Sequence, residues 1–116
     1  MHIRLAALFG FSAVALGAFG AHGLQPMLVK NGTLAIWQTA ALYHLVHAAV
    51  LLALTLGGKA TRLSANLFMI GVLIFSGSLY ALAITHLKWL GAITPLGGLC
   101  LLAGWLALAI KPPPAQ

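Results

Sequence analysis

Two histidines, a tyrosine and a threonine interrupt one apolar run of this 116-residue chain. At 100° per residue, all four lie on one side of a helix: Thr39, Tyr43, His44 and His47. Side chains of these types bind small molecules, metal ions or protons. A polar helix face is not expected to contact lipid, so the pattern predicts a cluster of side chains that points into a helical bundle.

Three interpretations of this cluster remain open. In the first, the side chains only form hydrogen bonds between helices, with both histidines neutral at pH 7 because no acid is present to pair with them. In the second, they line a pocket or a polar path. In the third, His44 and His47 bind a metal ion or haem across one helical turn, with His22 as a third ligand. The full candidate site comprises His22, Thr39, Tyr43, His44, His47, Ser76 and Tyr80.

The composition excludes most enzyme chemistry. Hydrophobic residues make up 62% of the chain and charged residues 5%, which is far below the roughly 25% of a soluble domain. There is no Asp or Glu, so carboxylate acid–base catalysis, Ser-His-Asp triads and Ca²⁺ or Mg²⁺ cages are excluded. We therefore predict a protein that is not an enzyme, with no cofactor. The six Lys and Arg are dispersed singly, so no basic face exists for nucleic acid.

Four apolar segments account for nearly all of the chain, which we interpret as one integral membrane domain over 1–116. The predicted spans are residues 5–24, 34–56, 65–85 and 90–110, and 20 helical residues cover about 30 Å, the thickness of the hydrocarbon core. The first span is longer than the apolar part of a signal peptide, which makes cleavage the weaker alternative. Residues 25–33 are expected to form a polar connection. Short connections predict an all-α, four-helix antiparallel transmembrane bundle.

Small residues recur on one face of the first and last spans, where they let neighbouring helices approach closely. The glycines expected to pack in this way are Gly10, Gly17, Gly20, Gly97 and Gly104. Trp37 and Trp89 lie near predicted helix ends, where aromatic side chains commonly sit at headgroup level.

The basic residues predict how the chain is oriented in the membrane. Four of them fall on the side of the two termini: Arg4, Lys59, Arg62 and Lys111. Lys30 and Lys88 fall on the other side. By the positive-inside rule, this asymmetry favours cytoplasmic termini.

Several motifs resemble those of a known family. They are ALGAFGAHGL at 15–24, WQTAALYHLVHA at 37–48, SGSLY at 76–80 and LGAITPLGG at 90–98. Together they resemble the domain of unknown function 423 family of small bacterial membrane proteins, which is similar to the eukaryotic transmembrane protein 256. The resemblance implies a multi-pass, four-helix protein of the bacterial inner (plasma) membrane. His22, His44 and His47 match motif positions, but the resemblance implies no activity.

The leading hypothesis is a structural or accessory protein of the lipid bilayer, which acts as a homo-oligomer or with a partner membrane protein. One alternative is a small transporter, channel or ligand-binding protein that uses the polar face of the second span. The other is a metal- or haem-binding membrane protein; the sequence leaves the question of a metal undecided.

Overall fold

A computed structural model of the chain describes residues 3–57 and 62–110. The described residues form five helices: α1 (Ile3–Ala21), α2 (Gln25–Asn31), α3 (Leu34–Leu56), α4 (Arg62–Thr85) and α5 (Leu90–Ile110). All except α2 are long and apolar enough to cross a membrane. The all-α, four-helix transmembrane fold predicted from the sequence is therefore confirmed.

The short helix α2 occupies much of the connection that we expected to be irregular. Pro26 lies in its first turn, where a missing backbone N–H costs no hydrogen bond. Leu28 is completely buried, and Gly32 ends the helix with a φ of 71°, a conformation that glycine adopts without strain. A second, short helix therefore lies within the connection predicted over residues 25–33. The first span ends at Ala21, three residues before the predicted boundary.

The four spans form a row in the order α1, α3, α4 and α5. Each helix packs on the next in that row, and α2 packs against α1, α3 and α4. Among the described residues, no Cα atom of α1 lies within 8 Å of one in α4 or α5. The described chain measures 50 × 26 × 16 Å along its principal axes. The arrangement leaves one side of α1 and one side of α5 without a neighbouring span.

Two clusters of buried residues hold the row together. One centres on Phe68 of α4 and includes Ala6, Leu51 and Leu101 from the other three spans. The other centres on Trp37 of α3, with Leu28 and Ala83. Trp37 is only 2% exposed, so its ring packs against other helices although it lies near the start of α3. Trp89 remains 59% exposed beside the start of α5.

Three of the expected packing glycines allow close contact between helices. A Cβ atom at Gly97 would overlap the backbone of Phe75, and one at Gly104 would overlap the ring of Phe68. Gly20 lies directly under the indole of Trp37. These positions explain why α5 packs closely on α4, and α1 on α3.

At Gly10 and Gly17 the expectation of close packing is not met within the described chain. A Cβ atom added at either position would meet no other atom within 4 Å. The buried small residues of α1 are Ala6, Ala13 and Gly20, which repeat every seven residues. A seven-residue repeat marks the narrow seam between two helices, and α1 has only α3 as a neighbouring span. Glycines just outside that seam therefore face open space.

We predict opposite effects for two glycine-to-alanine substitutions. Gly97→Ala should lower the free energy of unfolding by about 1–3 kcal/mol because the new methyl group displaces the α4 backbone. Gly17→Ala should raise it by roughly 0.5–1 kcal/mol, since alanine is favoured over glycine inside a helix and no atom is displaced. Thermal unfolding of the three proteins in one detergent measures both changes. Shifts of the same sign and size would contradict the assignment of Gly97 to a close helix contact and of Gly17 to open space.

Candidate functional site

His44 lies near the middle of α3 and bonds to the helices on both sides of it. The side chain is 6% exposed. Its Nε2 atom lies 3.0 Å from Ser12 Oγ of α1, and its Nδ1 atom lies 3.0 Å from the Tyr80 hydroxyl of α4. Since α1 and α4 do not pack on each other, the imidazole of His44 bridges the space between them.

The direction of each hydrogen bond at His44 follows from its neighbours. Ser12 donates its one hydroxyl hydrogen to the backbone carbonyl of Phe9, 3.0 Å away. A carbonyl can only accept, so Ser12 accepts from Nε2–H of His44. Burial with no carboxylate in the chain favours the neutral imidazole, in which the Nδ1 atom of His44 has no hydrogen and accepts from the hydroxyl of Tyr80. His44 is a neutral imidazole with both ring nitrogens in use.

His47 is fixed in the opposite tautomer. The indole N–H of Trp105 in α5 donates to its Nε2 atom over 3.1 Å, and an indole can only donate. The Nδ1–H of His47 therefore donates to the backbone carbonyl of Tyr43, 2.8 Å away. The bond from Trp105 joins α5 to α3 across the face of α4, where the rings of His47 and Phe68 lie 5.5 Å apart. His47 is also neutral and has both nitrogens bonded.

The hydrogen bonds of His44 and His47 leave no free ring nitrogen for a metal ion. A metal ion on either histidine would have to displace Ser12, Tyr80, Trp105 or a backbone carbonyl from a ring nitrogen. Within residues 3–57 and 62–110, no group of three or more His, Cys, Asp or Glu side chains is arranged to hold a metal. His22 is exposed beyond the end of α1, and the geometry therefore gives no support to it as a third ligand.

Two residues of the predicted polar face lie outside the cluster. Thr39 is exposed and bonds only to the carbonyl of Ala35 in its own helix. Tyr43 is 41% exposed, with its ring 4.7 Å from that of Phe75. The buried residues of α3 occupy an arc of about 100°, whereas the predicted face spans about 140°. Thr39 and Tyr43 lie beyond the arc that α1 and α4 cover.

Ser76 lies inside the structure and donates to the carbonyl of Ala40 over 2.7 Å, which joins α4 to α3. Tyr80, one turn further along α4, contacts both His44 and the indole of Trp37. Their predicted spacing of one turn therefore places both side chains against α3.

Sequence reasoning missed three groups of this network: Ser12, Trp37 and Trp105. Ser12 is the only polar residue between Arg4 and the end of α1, and a lone hydroxyl in an apolar span is a sign of bonding to another helix. Trp37 donates to the carbonyl of Leu16 in α1 over 2.8 Å. Its position on the same helical face as His44 was the available sign that it points inward.

A groove of about 560 Å³ lies between α1 and α4, beside His44. Its wall is mainly apolar, with Leu8 and Phe11 from α1 and Leu73 from α4. Four polar residues also line it: Ser12, His44, Ser76 and Tyr80. The groove exists because α1 packs on α3 but not on α4.

Comparison with known proteins gives a consistent family assignment. A family model described as a protein of unknown function, DUF423, matches residues 16–98. A UPF0382 membrane protein of Staphylococcus epidermidis is 44% identical over 112 residues, covering 93% of this chain and 91% of the relative. The UPF0382 membrane protein YwdK of Bacillus subtilis is 41% identical over 114 residues, covering 93% and 92%.

A UPF0382 membrane protein of Haemophilus influenzae is 44% identical over 112 residues, covering 93% of this chain and 90% of the relative. No solved structure matches the chain. The names of these relatives identify membrane proteins and state no biochemical activity. The role of the histidine network must therefore be argued from its geometry.

We predict that the bond between Trp105 and His47 stabilises the fold. Trp105→Phe keeps an aromatic ring but leaves the Nε2 atom of buried His47 without a donor, which should cost about 1 kcal/mol of unfolding free energy. Trp89→Phe is the matched control, since Trp89 is largely exposed. Unfolding of each variant in mixed micelles measures the difference. Equal effects of both substitutions would show that the bond contributes nothing.

Proposed function

We propose a function for this chain from the premise that it belongs to the DUF423 family of membrane proteins, whose biochemical role is not established. The chain is a structural or accessory membrane protein, without enzymatic activity, that works by lateral association in the bilayer. It associates with a second copy of itself or with a partner membrane protein.

One observation carries this proposal: the outer helix α1 is packed on one side only. In the described structure, 17% of its membrane window is buried, against 39% for α4. The side of α1 with Gly10 and Gly17 faces open space, and small residues allow another helix to approach closely. In lipid, where no hydrophobic driving force joins helices, such close approach is a main source of association.

The hydrogen bonding of the two buried histidines supports an accessory role for the chain and not catalysis at this site. The chain has no carboxylate to serve as a general acid or base. All four ring nitrogens of His44 and His47 are engaged in hydrogen bonds, and three of these bonds link α3 to another helix. The same geometry favours packing over metal or haem ligation. The outward positions of Thr39 and Tyr43 favour it over a polar transport path along α3.

We further propose the location and orientation of the chain. The relatives come from bacteria, which supports a place in the bacterial inner (plasma) membrane. Antiparallel spans put the start of α1, the end of α3 and the start of α4 on one side. The basic residues Arg4 and Arg62 lie there, and positive charge favours the cytoplasmic side. Both termini are then cytoplasmic.

Lateral association through α1 predicts a selective disulfide cross-link. Cys100 is first replaced by serine, and a cysteine is then introduced at Gly10, where the added side chain meets no atom. Mild oxidation of native membranes should link Gly10→Cys to a second copy or to a partner. Leu102→Cys on α5 is the matched control, because it is 67% exposed and both positions lie about 10–12 Å from the same membrane face.

A covalent adduct formed by Gly10→Cys, and several-fold less by Leu102→Cys, is the expected result. Mass spectrometry of the adduct then identifies a second copy or another protein. If both variants remain monomeric and nothing co-purifies with the wild type, lateral association is wrong.

The orientation predicts which connections are accessible from outside the cell. In the Cys100→Ser background, Leu87→Cys lies between α4 and α5, and Gly57→Cys lies at the end of α3. Neither substitution changes the charge that sets the topology. A membrane-impermeant maleimide should label Leu87→Cys in intact spheroplasts, and Gly57→Cys only after lysis. The reverse pattern would show inverted topology, and partial labelling of both would show dual topology.

A further inference from the structure

The groove between α1 and α4 has the dimensions of a small-molecule site. Its volume of about 560 Å³ lies within the 300–1,000 Å³ typical of such pockets. Leu8, Phe11 and Leu73 are each more than 60% exposed, so they present apolar surface to whatever occupies the groove. A ligand must therefore be largely apolar.

The three hydroxyl oxygens of the groove can still accept a hydrogen bond, but each has already donated its one hydrogen to another protein atom. Ser12 donates to the carbonyl of Phe9, Ser76 donates to the carbonyl of Ala40, and Tyr80 donates to His44. A hydroxyl oxygen has two lone pairs, so each of these oxygens keeps accepting capacity after its hydrogen is used. Ligands with a hydrogen-bond donor are the ones that this arrangement can bind.

The absence of charge in the groove lining and the depth of the groove in the membrane restrict the class of ligand further. No charged residue lines the groove, and an ion in hydrocarbon without a counter-charge is strongly disfavoured. Ser12 lies about 14 Å from either end of α1, and His44 about 15–18 Å from the ends of α3. Both are therefore near the centre of a hydrocarbon core about 30 Å thick. The headgroup of a phospholipid does not reach that depth.

We propose that this groove binds a neutral, lipid-soluble alcohol. The apolar body of the ligand lies along Leu8, Phe11 and Leu73, and its hydroxyl donates to the oxygen of Ser12 or Tyr80. This goes beyond lateral association, because the groove lies on a different side of α1 from Gly10 and Gly17. The two proposals can therefore fail independently.

Photolabelling with two matched probes tests the proposal. The purified full-length protein in phosphatidylcholine nanodiscs receives either hexadecanol carrying a diazirine or hexadecane carrying the same group. Gly77→Leu adds an apolar side chain to the lining of the groove, at a position where a Cβ meets nothing within 4 Å. Gly17→Leu is the matched control, because Gly17 is equally open but does not line the groove.

The wild type and Gly17→Leu should be labelled about fivefold more by the alcohol than by the hydrocarbon, as one added hydrogen bond predicts. Gly77→Leu should lose this labelling while its thermal stability stays unchanged. Labelled peptides should map to α1 and α4.

Three outcomes would overturn the proposal. Equal labelling by alcohol and hydrocarbon would show that the acceptors play no role. Undiminished labelling of Gly77→Leu would place the probe elsewhere. Competition by added phosphatidylethanolamine vesicles would identify an ordinary phospholipid as the occupant. Because cross-linking at Gly10 is measured separately, none of these results bears on lateral association.

Discussion

The need to satisfy every polar group inside a hydrocarbon core governs this structure. A buried donor or acceptor without a partner costs several kcal/mol in lipid, where no water can replace it. In the described part of the chain, no buried side-chain nitrogen or oxygen lacks a hydrogen-bond partner. His44 and His47 therefore fix where α1, α4 and α5 lie relative to α3, since each imidazole has two nitrogens that must be bonded in different directions.

The need to bond every buried polar group explains how the four spans can form a row instead of a closed four-helix bundle. In the described chain no Cα atom of α1 lies within 8 Å of one in α4, yet α1 is joined to α3 by two long-range hydrogen bonds, from Trp37 to Leu16 and between His44 and Ser12. Gly20 lets the indole of Trp37 lie directly against α1. Because these bonds and the close packing at Gly20 hold α1 on α3, the gap between α1 and α4 can remain open as a groove.

Hydropathy predicted the number of spans correctly. For α3 and α5, the predicted first and last residues are also those of the observed helices. It could not predict the row, because length and apolarity say nothing about which helix lies beside which. The wheel correctly put His44 on an inward face, but it could not define how wide that face is, so it also included Thr39. The inward direction of Trp37 was missed because its proximity to a helix end was given more weight than its alignment with His44. The helix α2 was missed because seven residues with a proline carry little periodicity.

The absence of acidic residues connects the network to the kind of function the chain can have. In many membrane proteins a carboxylate beside a histidine creates a site that gains and loses protons. Here the partners of the histidines are hydroxyls, an indole and a carbonyl, none of which carries charge at neutral pH. Such a network orients helices and offers neutral acceptors to a neighbouring molecule. The two proposed interactions, lateral association and binding of an alcohol, therefore require no charged group, and both involve sides of α1 that no other span packs on.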